Sequence, residues 1–226
     1  AFALGGSYGL MALIMLLFFL IPSIVMGYMY KKRKKAWHVL LGGFIAMLAQ
    51  LLLELVLFSL QLGLDLSKEL ADMFRASLEQ FETSGVFEAG WAAETASALG
   101  DAVVTMLPML LLLGAFLFAV ITHGLARWGL RRSGIEVPGL PQAKTWRLPR
   151  SLVWYYLAAY VISFAVPPDG DGFWTVIIAN LVPVLRFAFV VQAIGFFFFL
   201  ADAKRWHRAV PVLLAVPVVL FPPFYL

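Results

Sequence analysis

Long apolar runs alternate with short polar segments along the whole chain. The runs cover approximately residues 9–30, 37–61, 103–126, 151–167, 173–201 and 209–226. A helix of about 20 apolar residues crosses the hydrocarbon core of a bilayer, and these runs reach or approach that length. The pattern therefore predicts an all-α fold, a polytopic transmembrane helical bundle with about six spans.

The longest polar segment, residues 64–101, predicts helices of a different kind. Apolar residues recur at helical spacing in its first half while acidic residues occupy the other faces, with Leu66, Leu70, Met73, Phe74, Leu78 and Phe81 against Glu69, Asp72, Glu79 and Glu82. This spacing is typical of an amphipathic helix. Because its polar face is acidic, the helix does not suit an anionic membrane surface. We expect an external segment that is either a lid over a binding cavity or a passive cover.

The composition agrees with a membrane location. Of the 226 residues, 62% are hydrophobic and 13% are charged, whereas soluble domains are about 25% charged. The absence of Cys excludes disulfides, thiolate metal sites and thiol nucleophiles. We expect a single integral membrane domain over residues 1–226, as a piece of a longer chain, because neither a Met nor a basic leader precedes the first span.

Charges of opposite sign fall in different segments. Of the 17 Lys and Arg residues, 14 lie in residues 31–35, 127–150 and 204–208, and eight of the 13 acids lie between residues 65 and 101. The positive-inside rule then predicts a multi-pass protein of the cell membrane with cytoplasmic basic loops and an external 64–101 segment. The expected partner is the lipid bilayer, and nucleic acid is not expected.

Two charged residues fall inside the predicted spans. A lone Arg186 at the bilayer centre costs about 2.5–3.5 kcal/mol, and a carboxylate partner would relieve much of this cost. Glu54 is the only acidic residue within the predicted spans. We predict that the two residues meet in a polar centre with Gln50, Asn180 and Gln192. This centre either binds a solute or a proton, or it is a structural pair that fixes helix packing.

The remaining motifs do not indicate an enzyme. His38, His123 and His207 lie at span ends or in a basic loop without a second ligand at helical spacing, so we interpret them as interfacial polar residues. Residues 5–9 match G-x-S-x-G, but they precede a membrane helix instead of forming a strand-to-helix elbow. A phosphate-binding G-x-x-x-x-G-K-[ST] loop is absent from the sequence. We expect no catalytic residues, no metal and no cofactor.

Three stretches occur in an order and spacing that identify a family. Residues 19–28 run into the 31–35 basic cluster, residues 146–150 open the fourth span, and Gln192 with Gly195 lies in the fifth. Together they resemble the YybS-type family of predicted bacterial membrane proteins, a family of unknown function. The resemblance implies additional N-terminal spans and a distant similarity to S components of energy-coupling-factor transporters, which bind vitamins or metal ions and dock onto an ATPase module. The cell-shape protein MreD is similar in fold, so a scaffold is also implied.

Two functional hypotheses remain open. The first is a solute-binding or transport subunit resembling an S component, with a pocket beneath the external segment. The second is a membrane scaffold or accessory subunit without a substrate, whose basic cytoplasmic loop, residues 127–150, docks a cytoplasmic partner. Under either hypothesis this loop is the expected contact for an ATPase or coupling module or another membrane complex. The six basic residues of this loop suit a protein or anionic headgroups. A closed pocket of roughly 300 Å³ or more with converging polar groups would favour the first hypothesis.

Overall fold

The regular secondary structure of the described residues is helical. The computed structural model describes residues 19–62, 65–85, 87–167, 170, 172–207 and 209–220. No β-strand occurs in these ranges, and the predicted all-α class is confirmed. The elements are α1 (19–31), α2 (Ala36–Leu62), α3 (Leu66–Thr83), α4 (Trp91–Thr105), α5 (Leu107–Arg132), a 3₁₀ turn η1 (Ala143–Thr145), α6 (Ser151–Ser163), α7 (Phe173–Ala203) and α8 (Ala209–Leu220).

Among the described residues, three helices are long and apolar enough to cross a membrane. They are the Ala36–Leu57 part of α2, the whole of α5 and the whole of α7. Helices α6 and α8 are apolar but have only 13 and 12 residues. Residues 9–18 of the first predicted span, 9–30, lie outside the described residues, and residues 19–30 lie in α1. The polytopic membrane character is therefore confirmed, and the number of six spans stays a prediction.

The amphipathic segment forms the helices α3 and α4. Asp65 caps α3, because its Oδ1 accepts hydrogen bonds from the backbone N–H groups of Ser67 and Lys68. Glu82 holds the connection to α4 by accepting from Gly90 N at 2.8 Å and Ala92 N at 2.9 Å. The predicted helix over the first half of the segment is present. Its external position stays a prediction.

The third predicted span is displaced toward the carboxyl terminus. We predict it at 103–126, whereas α4 continues to Thr105 and α5 begins at Leu107. Pro108 is the second residue of α5, in the first turn, where its missing N–H group breaks no intrahelical bond. At the other end Arg131 and Arg132 occupy the last turn, where the helix dipole favours basic side chains. The predicted 127–150 loop therefore begins as helix, and its non-helical part starts at residue 133.

The chain divides into two compact units. The first unit comprises Ala1–Val104 and Leu110–Leu140, and the second comprises Thr105–Met109 and Pro141–Leu226. In the first unit, α1, α2 and α5 share a core cluster of Met26, Tyr30 and Val39, with Met29, Ala126, Leu130 and Val137 packed against it. In the second unit, α6 and α7 share a cluster of Ala159, Val182 and Leu185, with Leu152, Tyr156 and Ile178 around it.

Candidate binding site

A hydrogen bond between two buried side chains joins α1 to α5 in the first unit. Tyr30 Oη and His123 Nδ1 are 2.6 Å apart, and His123 is only 2% exposed. Since a buried polar group is costly unless it is hydrogen-bonded, this contact fixes the imidazole ring in one orientation. His123 therefore lies inside the protein, and its position at the membrane interface stays a prediction.

A cavity of about 680 Å³ opens beside His123 along the carboxyl-terminal half of α5. Leu140, from the segment that follows the helix, forms part of its wall. The other lining residues share one face of α5, because they recur at steps of one, three and four residues. They are Val120, His123, Gly124, Arg127, Trp128, Arg131 and Arg132.

Packing holds two of the three arginines of this cavity. A Cβ atom on Gly139 would lie 2.5 Å from Arg127 Cζ, so the glycine leaves the space that the guanidinium group occupies. The guanidinium group of Arg132 stacks over Trp128, with Cζ 4.1 Å from the ring centroid. A planar guanidinium held in this way presents a fixed fork of donors to a carboxylate or phosphate.

Two buried nitrogen atoms at the cavity have no hydrogen-bond partner within the described part of the chain. They are His123 Nε2 and Arg127 Nε. A buried polar atom left without a partner costs about 1–3 kcal/mol. Three arginines on one face suit an anion, and no group of three His, Asp or Glu among the described residues suits a metal ion.

The predicted polar centre begins on α2 with Gln50 and Glu54. Gln50 Nε2 donates to Glu54 Oε1 at 3.0 Å. Gln50 is 9% exposed, whereas Glu54 is exposed on the helix surface. Arg186 belongs to the other compact unit. The ion pair between Glu54 and Arg186 therefore stays a prediction.

Arg186 lies half-buried near the middle of α7, as the sequence predicts. Its Nε donates to Tyr156 Oη of α6 at 3.3 Å. The Tyr156 ring in turn lies 5.4 Å from the ring of Phe189, centroid to centroid. The charged group is thus anchored to the interface of α6 and α7, next to the core cluster of the second unit.

Asn180 binds the junction between α4 and α5. Its Oδ1 accepts from Met109 N at 2.8 Å, and its Nδ2 donates to Thr105 O at 2.8 Å. The first N–H groups of a helix lack intrahelical partners. Asn180 of α7 therefore supplies a hydrogen-bond acceptor to the first turn of α5. This residue has a structural role that its position in a span did not reveal.

Gln192 binds the backbone of the segment before α6. Its Oε1 accepts from Leu148 N at 2.8 Å, and its Nε2 donates to Trp146 O at 3.4 Å. One turn further along α7, a Cβ atom on Gly195 would lie 2.9 Å from Ala143 O, so only glycine allows this close approach. Together these contacts fix the 141–150 segment to α7.

The residues of the predicted centre therefore have separate partners where the structure describes them. Asn180, Arg186 and Gln192 follow one another along α7 at intervals of six residues, or about 9 Å. Each contacts a different neighbouring element. A single polar centre that also includes Gln50 and Glu54 stays a prediction.

The cavity on α5 is a site that our reading of the sequence missed, although a signal was present. His123, Arg127 and Arg131 are spaced by four residues, and so are Gly124, Trp128 and Arg132. On a helix both series lie on one face, which brings the basic groups together. The predicted span ends at residue 126 and the predicted loop begins at residue 127. This boundary separates residues that belong to one face of α5.

Comparison with known proteins agrees with the resemblance found in the sequence. Residues 2–226 match the family described as "Predicted membrane protein (DUF2232)". The chain is 24% identical over 208 residues to the "Uncharacterized protein YybS" of Bacillus subtilis (strain 168). The matched region covers 89% of this chain and 66% of that relative, so the chain spans just under two thirds of the relative's length. No solved structure matches the chain significantly. The protein described here belongs to the DUF2232 family of predicted membrane proteins.

Proposed function

We propose that this protein is a membrane-embedded binding subunit whose anionic ligand occupies the cavity on α5. The observation that carries the proposal is the convergence of Arg127, Arg131 and Arg132 on a cavity of about 680 Å³. That volume is within the roughly 300–1,000 Å³ of small-molecule sites, and the cavity is open on one side instead of closed.

The wider form of the proposal is a solute-binding or transport subunit that resembles an S component. In this form the basic segments 31–35, 127–150 and 204–208 lie in the cytoplasm and the 64–101 segment lies outside the cell. The cavity lies at the basic end of α5 and none of its lining residues belongs to the 64–101 segment, so it is not the pocket that the first hypothesis places beneath that segment. In this topology its ligand exchanges with the cytoplasmic side. Transport itself would require an ATPase or coupling module as partner.

The experiment is native mass spectrometry of the intact chain purified from its own membranes in a mild detergent. We expect a bound anionic molecule in the unaltered protein and its loss in the double variant Arg127→Gln, Arg131→Gln. The double variant Arg147→Gln, Arg150→Gln is the matched control, since it removes the same charge from the segment before α6. Absence of any ligand, or equal retention in both variants, would refute the proposal.

A scaffold or accessory subunit is the second candidate, and a specific observation favours it. The 141–150 segment is fixed to α7 through Gln192, and Lys144 Nζ contacts Asp202 Oδ2 at 2.9 Å. Arg147 and Arg150 are exposed on this fixed segment, where an acidic surface of a partner protein could dock. Photo-crosslinking from position 150 in native membranes tests this candidate. A defined partner at position 150, unaffected by Arg127→Gln, supports it, and crosslinks to lipid alone contradict it.

A further inference from the structure

The cavity on α5 combines two kinds of surface that a small inorganic anion does not need together. Arg131 and Arg132 lie in the last turn of the helix, while Val120 lies three turns earlier. The residues of α5 that line the cavity therefore extend over about 18 Å of the helix axis. Basic groups occupy one end of this length, and apolar or small side chains occupy the other.

Gly124 lines the apolar part of the cavity, and we call the open space over this residue the groove. A Cβ atom added at this residue would meet no atom within 4 Å, so the space over the glycine is open. The neighbouring surface of α5 is also apolar and exposed, with Leu117 46%, Ile121 59% and Leu125 63% exposed. In a helix that crosses a membrane, such side chains face hydrocarbon. The groove therefore borders an apolar surface that faces hydrocarbon, which is the environment of an acyl chain.

The arginine end suits a phosphate group. Arg127 packs over Gly139 and Arg132 stacks on Trp128, so both guanidinium groups are pre-organised for paired hydrogen bonds to phosphate oxygens. Basic pockets between helices at the cytoplasmic side of a membrane are a known way to bind anionic headgroups. The two ends of the cavity thus match the two ends of one molecule.

From this arrangement we infer that the ligand is a lipid with an anionic phosphate headgroup, which binds the three arginines while its chain follows the groove at Gly124. The inference rests on the proposed binding function and names the chemical class of its ligand. His123 lines the cavity between the two ends. A lipid headgroup and a free phosphate ion present the same phosphate oxygens to the arginines. They differ in that only the lipid has a chain to occupy the groove.

Filling the groove tests the inference. The variant Gly124→Leu adds a side chain where the structure has open space, and Gly129→Leu is its matched control. Gly129 lies on the same helix, also has no atom within 4 Å of an added Cβ, and is not among the residues that line the cavity. Arg131→Gln with Arg132→Gln is a second test at the exposed end of the cavity, and it remains available if Gly124→Leu does not fold.

The probes are phosphatidylglycerol, phosphatidylcholine and inorganic phosphate, each added to the purified full chain and followed by native mass spectrometry and thermal shift. We expect phosphatidylglycerol to bind the unaltered protein and Gly129→Leu equally well. Its affinity should fall roughly tenfold or more in Gly124→Leu and in the double arginine variant. Phosphatidylcholine and inorganic phosphate should bind at least roughly tenfold more weakly than phosphatidylglycerol.

The remaining outcomes separate the two proposals. If inorganic phosphate binds as tightly as phosphatidylglycerol and Gly124→Leu changes neither, the lipid inference is overturned while an anion-binding function stands. If both lipids bind equally and no variant matters, the contacts are those of ordinary surrounding lipid, and the inference is also overturned. If no anion depends on Arg127, Arg131 or Arg132, the inference and the proposed function fail together.

Discussion

The two basic segments that follow one another in the chain have similar composition and different structures. Residues 127–132 contain three arginines and Trp128, and residues 141–150 contain Lys144, Arg147, Arg150 and Trp146. The first segment lies on α5 and borders a cavity of about 680 Å³, whereas the second is held on α7 beside a cavity of about 170 Å³. The difference lies in how each backbone satisfies its hydrogen bonds.

In a helix the backbone N–H and C=O groups form hydrogen bonds with each other, so the side chains remain available for other contacts. Arg127 and Arg131 share one face of α5 because they are four residues apart, and their donors point away from the helix axis. The Pro-containing segment 141–150 has mostly non-helical backbone, so its N–H groups need partners from elsewhere. Gln192 provides one for Leu148. The comparison indicates that the helical segment is available for a ligand, while the extended segment is occupied with holding its own fold.

Removal of the Gln192 amide should have the largest effect on this comparison. The variant Gln192→Leu leaves Leu148 N and Trp146 O without their partner, and two unsatisfied groups cost roughly 2–6 kcal/mol of unfolding free energy. We expect a lower melting temperature and faster tryptic cleavage after Arg147. Both are measured on the purified chain in detergent.

A second glutamine in the same segment provides the control for this change. Gln142 is exposed, and its backbone rather than its side chain makes the hydrogen bond to Thr145. Gln142→Leu should therefore leave both the melting temperature and the cleavage rate near those of the unaltered protein. Equal behaviour of the two leucine variants would mean that the 141–150 segment does not depend on α7.

A pair of identical glycine substitutions sharpens the contrast between the two basic segments. Gly195→Ala places a Cβ atom 2.9 Å from Ala143 O, and we expect this overpacking to destabilise the second unit by about 1–3 kcal/mol. Gly124→Ala enters open space beside the cavity and should be neutral or slightly stabilising, because Ala favours helix over Gly. Chemical or thermal unfolding of both variants measures the difference. A harmless Gly195→Ala would contradict the close packing of η1 on α7.

Most of the fold could be predicted because it depends on local pattern. The apolar runs give α2, α5 and α7, and the spacing of Leu66, Leu70 and Phe74 gives α3. The start of α5 was harder to predict, since hydropathy does not register that Pro108 favours the first turn of a helix. Its end was also misplaced, because basic residues were assigned to a loop although a last helical turn favours them.

The site could be predicted only in part, since its contacts are long-range. The sequence identifies Gln192 and Asn180 as unusual polar residues in a span, but their partners are backbone groups that no motif marks. It also contains the four-residue spacing of His123, Arg127 and Arg131. Whether that spacing makes a cavity depends on Leu140 and Gly139, which approach α5 only after the chain has turned.

The turn between α3 and α4 should show the smallest effect, and it extends the comparison to a charged group. The backbone N–H groups of Gly90 and Ala92 donate to Glu82 and lower the pKa of its carboxyl group. A lowered folded-state pKa gives stability that is present above the unfolded-state pKa and is lost as pH falls through the folded value. We therefore expect the turn to be intact at neutral pH and to loosen only in acid, below the ordinary range of Glu.

Hydrogen exchange of the Gly90 and Ala92 amides as a function of pH measures this turn directly, once the intrinsic pH dependence of exchange is removed. In Glu82→Gln the protection should be lower at neutral pH and should no longer change in acid, because the titrating group is gone. Glu79→Gln is the matched control, since Glu79 lies on the same helix and its Oε1 contacts Arg75 Nε at 3.1 Å. Protection that falls with acid equally in all three proteins would assign the effect to a group other than Glu82. A side chain that satisfies backbone N–H groups would then matter to this turn less than Gln192 does to the 141–150 segment.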